Sequence, residues 1–203
     1  MKKPAEGYWI AGFDQQRELA NGTKYVHGAL DICPLDRERF KEIDRDLFAI
    51  ERGELSAHLI YMQTDDRNSW NAWGLPWPGN SRPDPYPFAN YTAETYGICL
   101  VLRTSSRMYL YAHLNEVPEF LPLLAKDQEM VFKKDREDRW LHAQFWGPMG
   151  VEEGERIGRM GWFGKTIPAG RTGCHLHIEG HEGFQWKQNA DRVRLDQELR
   201  GII

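Results

Sequence analysis

Between Trp70 and Tyr91 the chain carries five prolines, three tryptophans, two tyrosines and a phenylalanine, with glycine, asparagine and serine between them. Proline lacks a backbone donor and clashes with the preceding helical turn, so no regular helix or central strand can run through this stretch. It reads as a long ordered loop, and loops of this length inside a domain are often functional. Its rings can stack on sugars, line a peptide groove, or pin the loop down by burial. Regular structure must therefore lie on either side of it.

On both sides the apolar residues fall into short alternating runs. The first 25 residues read as irregular. Tyr25–Ile32 (YVHGALDI) reads as a short strand. Phe40, Ile43 and Leu47 stand at helical spacing, which predicts a short helix over 36–46. Leu47–Leu55 reads as strand, turn, strand, and Ala57–Gln63 continues as strand. Gly97–Leu114 reads as a hairpin turning near Thr104–Arg107. Glu116–Met149 alternates acidic and basic residues and reads as a partly helical excursion with a solvated face. The glycine-rich Val151–Gly180 ends in the strand CHLHIEG, and Asp191–Arg200 reads as a terminal helix. The expected fold is mainly β with minor α. It is one domain over 1–203, an antiparallel sheet forming the floor of an open groove, with insertions at about 64–95 and 116–150.

Composition narrows the function classes. The net charge of −4 gives no general pull toward nucleic acid or anionic lipid. No apolar run approaches the ~20 residues needed to span a bilayer, so no membrane insertion is expected. Lys2 and Lys3 resemble the start of an export signal, but Pro4, Glu6 and Asp14 interrupt the apolar region that should follow, and no signal peptide is read. Cys33, Cys99 and Cys174 are odd in number and widely spaced, so they form no disulfide framework and read as buried thiols. Nothing in the sequence sets an oligomeric state.

Seven histidines are present. His175 and His177, two apart on a strand, point to the same face about 6.5–7 Å apart. One can bind a metal while the other faces substrate, or both can bind one metal; spacing alone does not decide. His27 and Asp31, four apart, share a face on a strand or a helix. Two imidazoles and one carboxylate make a three-ligand site with a position open for water, the pattern of catalytic rather than structural zinc. His113 ends the alternating run Tyr109–Leu114. His58, His142 and His181 fit no such pattern and read as structural or surface residues.

In combination these segments resemble the lysostaphin-type, or LytM-type, zinc endopeptidases. The order is H27-G-A-L-D31, then L47-F-A-I-E-R-G-E-L55 as the family's hairpin, then Y111-A-H-L114. Last come V151-E-E-G-E-R-I-G158 and R171-T-G-C-H-L-H-I-E179. The resemblance implies one zinc ion per chain held by His27, Asp31 and His177. It implies His113 and His175 as the two unligated catalytic histidines, and peptidoglycan peptide as substrate. With no signal peptide or wall-binding repeat in view, a phage-encoded lysin, released on lysis or carried on a particle, fits this setting.

Three departures stand out. Cys174 replaces the family's proline before the final HLH, placing a thiol close enough to be an unwanted ligand. Gly28 follows His27 directly, where the family has its glycine one residue later. The stretch from Leu55 to Tyr96 is longer than the family core needs. Competing readings are a LytM-like module kept for binding or regulation without activity, a cupin-type metal barrel, and a zinc D-Ala-D-Ala carboxypeptidase. Intact ligand and flanking positions speak against the first. Residue order speaks against the second, and the His–Asp spacing of four against the third.

Overall fold

The computed structural model describes residues 1–12, 15–18, 24–34, 45–63, 91–125, 130–133, 140–162, 173–183 and 192–200. In chain order the elements are β1 (Tyr8–Ala11), β2 (Gln15–Glu18), β3 (Lys24–His27), β4 (Leu30–Cys33), β5 (Asp46–Phe48), β6 (Gly53–Gln63) and β7 (Tyr91–Arg103). They continue with β8 (Arg107–Leu114), β9 (Met130–Lys133), β10 (Trp140–Val151), β11 (Arg156–Arg159), β12 (Leu176–Glu182), β13 (Arg192–Val193) and α1 (Leu195–Glu198). The main sheet runs β1-β4-β12-β8-β7-β6-β10-β9, with β13 added against β12. Strands β2 and β3 form one separate pair, β5 and β11 another. Every pairing is antiparallel. The fold is mainly antiparallel β, as expected. No helix among the described residues is long and apolar enough to cross a membrane.

The central strands are covered on both faces, which explains why β7 and β8 read as nearly unbroken apolar runs. Ile98, Leu100, Leu102, Tyr109, Tyr111, Leu114, Leu176 and Ile178 bury themselves in the main core. On the opposite face Cys99, Val101, Met108, Leu110 and Ala112 form a second apolar cluster, with Tyr96 against it. Each large side chain removed from water in this way contributes about 1.5–3 kcal/mol. The buried tyrosines also satisfy their hydroxyls. Tyr111 Oη donates to Phe48 O (3.1 Å) and accepts from Ile50 N (3.0 Å), while Tyr109 Oη donates to Glu51 Oε1 at 2.8 Å. These bonds pin the turn between β5 and β6 to the floor of the sheet.

The β7–β8 hairpin turns where the sequence places it. Thr104 N donates to Arg107 O at 2.9 Å, and Arg107 N donates back to Thr104 Oγ1 at 3.1 Å. Elsewhere the structure corrects the expectations. The N-terminal segment is not irregular throughout, since β1 joins the main sheet and β2 pairs with β3. Tyr25–Ile32 is two strands in two sheets, broken at Gly28–Ala29. Within 47–55, β5 and β6 flank a turn but do not pair; β5 pairs with β11, and β6 with β7 and β10. In the stretch 116–149, expected to be partly helical, the described residues hold no helix. They supply β9 and β10, and β10 pairs with β6 from Trp140↔Met62 to Val151↔Gly53. The alternating charges that precede it fit a helix face in the sequence as well as they fit any other exposed segment. Of the terminal helix expected over 191–200, only Leu195–Glu198 is helical among the described residues, as α1; Arg192–Val193 forms β13 instead. The loop at 70–90 and most of the predicted helix over 36–46 lie outside the described residues.

Candidate metal centre

The site forms where β3, β4, β12 and the end of β8 meet. Asp31 on β4 and His177 on β12 are directly opposed across the antiparallel pair. His27 closes β3, and the Gly28–Ala29 break turns its ring back over Asp31. His27 Nε2 lies 3.3 Å from Asp31 Oδ1 and 3.4 Å from His177 Nδ1, and His177 Nδ1 lies 2.9 Å from Asp31 Oδ1. All three residues are buried. Together they form a group that can hold a metal ion.

The donor set fits a small divalent cation. His27 Nδ1 donates to Gly12 O (3.2 Å), which leaves Nε2 as an acceptor turned inward. His177 Nε2 donates to Glu179 Oε1 (3.0 Å), which leaves Nδ1 as an acceptor turned inward. Asp31 is ionised, because burial opposes its charge but hydrogen bonds from His177 and His27 outweigh that and hold it well below the usual carboxylate range. With both imidazoles neutral three acceptors would converge, and either a proton on an imidazole, donated to Asp31, or a cation reconciles them. Burial also works against a charge on His177, yet bonding to Asp31 and Glu179 wins and lifts it to about 9. Tetrahedral ligands at zinc bond lengths would stand about 3.3 Å apart. The three observed separations bracket that value. Two nitrogens and one oxygen suit a divalent first-row metal.

His113 and His175 flank this group. Their ring centroids are 5.0 Å apart, and His113 lies 5.6 Å from His177. His175 Nε2 stands 4.0 Å from Asp31 Oδ1. Its Nδ1 donates to Gly173 O at 2.8 Å, so the neutral ring presents Nε2 as an acceptor. Of the five residues, only His175 is half-buried; the other four are buried.

How His113 reaches this face is not readable from alternation, which would send it into the core with Tyr109 and Tyr111. The β7–β8 register advances by two residues on β7, from Ile98 to Leu100, but by three on β8, from Leu114 to Tyr111. The extra residue is accommodated by His113 in the left-handed region at φ 68°, a conformation uncommon outside glycine. Leu114 returns to the core while the His113 ring joins the histidines. Gly161 buttresses this kink from behind. A Cβ there would stand 2.5 Å from His113 O and 2.4 Å from Asn115 N, and Gly161 O accepts from His175 N at 3.3 Å. One glycine thus backs both flanking histidines.

Around Glu179 lies a layer that the sequence reading did not assign. Glu179 Oε1 accepts from Tyr96 Oη at 2.7 Å as well as from His177, and Arg192 Nη2 lies 3.2 Å from the same oxygen. His181 Nε2 lies 2.9 Å from Oε2. Burial opposes the charge on Glu179, but hydrogen bonds from His177 and His181 and the Arg192 charge outweigh it, holding the carboxyl well below its usual range. Burial, reinforced by that neighbouring carboxylate, pushes the Tyr96 hydroxyl well above its usual range. Period-two alternation from His177 through Glu179 to His181 was the signal available in the sequence. Nothing local pointed to Tyr96 or Arg192.

The other histidines and the cysteines sit apart. His58 is buried on β6 with Nε2 2.6 Å from Ser56 Oγ. His142 lies on β10, and its side chain is outside the described residues. Cys174 does not approach the metal group. It packs in the main core, on the opposite side of β12 from His175 and His177. Cys33 and Cys99 are likewise buried thiols that form no disulfide.

No protein-family model matches the chain, and no curated protein matches it. Among solved structures, Helicobacter pylori Csd3, from its orthorhombic crystal, is similar at 13% identity and a TM-score of 0.39. The match covers 99% of this chain and 38% of Csd3, so the chain spans well under half of that protein, and the likeness is a distant one.

Proposed function

We propose that the chain is a zinc-dependent endopeptidase of the LytM type that hydrolyses peptide bonds in bacterial peptidoglycan. The observation that carries the reading is the convergence of three acceptor atoms at separations of 2.9, 3.3 and 3.4 Å, flanked by two further histidines. The ordered motif H27-x-x-x-D31, Y111-A-H-L114 and H175-L-H177 supports the same reading. The single domain over 1–203 belongs to the proposal, and so does a setting at the cell wall, reached by lysis or on a phage particle. Of the expected insertions, 64–90 lies outside the described residues and 140–150 belongs to β10 of the main sheet.

His27, Asp31 and His177 would hold the ion. Bound there, zinc would polarise the scissile carbonyl and lower the pKa of water toward ~7. His175 takes the proton of the attacking water at Nε2, because its Nδ1 hydrogen is committed to Gly173 O. His113, on the other side of the ring pair, donates to the oxygen that gains charge as the carbonyl carbon becomes tetrahedral. The buried surroundings strengthen both interactions by excluding water. The test is zinc content by elemental analysis, together with mass spectrometry of purified peptidoglycan fragments after digestion. One zinc per chain and new peptide termini are expected. Zinc with no cleavage would favour a binding module instead, and no zinc would remove the reading.

A further inference from the structure

We propose that Arg192 is a positioning residue of the metal centre, acting on the ligand His177 through Glu179. The inference rests on the metal-binding reading of His27, Asp31 and His177. Glu179 is fully buried, and Tyr96, His177, His181 and Arg192, which converge on its two oxygens, can each donate to it. A carboxylate, which accepts at both oxygens, suits such a ring. Arg192 Nη2 and His177 Nε2 meet at the same oxygen, so the guanidinium fixes where Oε1 stands and with it the bond that turns His177 Nδ1 inward.

The path of Arg192 also accounts for a sequence oddity. Its side chain crosses directly over Gly28, where a Cβ would stand 2.5 Å from Nη1 and 2.7 Å from Cδ. A side chain at position 28 would therefore push the guanidinium off the path it takes to Glu179. The backbone carrying Arg192 is anchored independently. β13 pairs with β12 at Gly180↔Val193 and His181↔Arg192, while Val193, Leu195 and Leu199 lie in the main core. A segment far from every predicted ligand thus closes the outer layer of the centre, in the way hydrogen-bonded carboxylates orient metal-binding imidazoles generally.

The experiment is chelator competition for zinc, paired with the visible absorption of the cobalt-substituted protein, on wild type, Glu179→Gln, Arg192→Met, Arg192→Lys and Gly28→Ala. Glu179→Gln and Arg192→Met should each weaken zinc binding by ~10–100-fold and alter the cobalt spectrum. Arg192→Lys, which keeps the charge but not the planar fork, should recover part of the loss. Gly28→Ala should reproduce the Arg192→Met result although both charged residues remain. Wild-type affinity and spectrum in Arg192→Met overturn the proposal. If that variant does not fold, the same result in Gly28→Ala overturns it. Failure of the wild type itself to take up zinc or cobalt would instead overturn the metal reading beneath it.

Discussion

The two faces of β12 obey different rules. Toward the core, Cys174, Leu176 and Ile178 meet other apolar side chains, and their requirement is volume. Toward the other face, His175, His177, Glu179 and His181 each meet a named atom at hydrogen-bond distance. Their requirement is the position of a lone pair or a proton. Apolar packing tolerates substitution of similar size, because dispersion and burial are non-directional. The polar face tolerates little, because a carboxylate exchanged for an amide puts a donor where an acceptor stood. β12 and the two residues leading into it therefore carry both the stability of the sheet and the chemistry proposed for it.

Mutations alternating along this strand should separate the two faces. The largest effect is expected at His177→Ala, which should abolish both zinc binding and cleavage while the fold persists. Elemental analysis and circular dichroism check this, and retained stoichiometric zinc would contradict it. Next come His175→Ala and His113→Ala. Each should keep zinc and lose cleavage by ~10²–10⁴-fold, the usual cost of removing an acid or base. Full cleavage rates in both zinc-loaded variants would remove the proposed roles. On the core face, Leu176→Ala should cost about 2–5 kcal/mol of stability and leave the zinc affinity of the folded molecules unchanged. Denaturant titration beside chelator competition reads both quantities, and a loss of affinity without loss of stability would blur the distinction between the faces. The smallest effect is expected at Cys174→Ala, about 1 kcal/mol in stability, with no change in the cobalt spectrum, since this thiol faces away from the centre. A spectral change would mean that the sulfur reaches the metal after all.

How much of this was legible in the sequence depends on the range of the interaction. The pairing of His175 with His177 follows from alternation within one strand. The turn at Thr104–Arg107 follows from local residue types. The gathering of His27, Asp31 and His177 came from motif order, and the structure does bring those three together. The strand β10 was missed because the charged residues before it suit a helix face as well as any other exposed segment. Arg192 was missed for a different reason. Its place depends on β13 lying against β12 and on the missing side chain at Gly28, two facts separated by more than 160 residues. The glycine was noticed as a departure from the family pattern, but its meaning lay at the other end of the chain.

The kink at His113 has a further consequence. Up to Ala112, β8 keeps strict time, with odd-numbered residues in the core and even-numbered ones on the opposite face. At His113 the count slips by one, and afterwards the parity is inverted, with Leu114 in the core. The slip acts as a phase shift placed at the edge of the proposed chemistry. Deleting a single residue there would restore perfect alternation and look like an improvement to any reading that scores regularity. It would also turn the imidazole away from its partners. In this strand, the irregular step is the informative one.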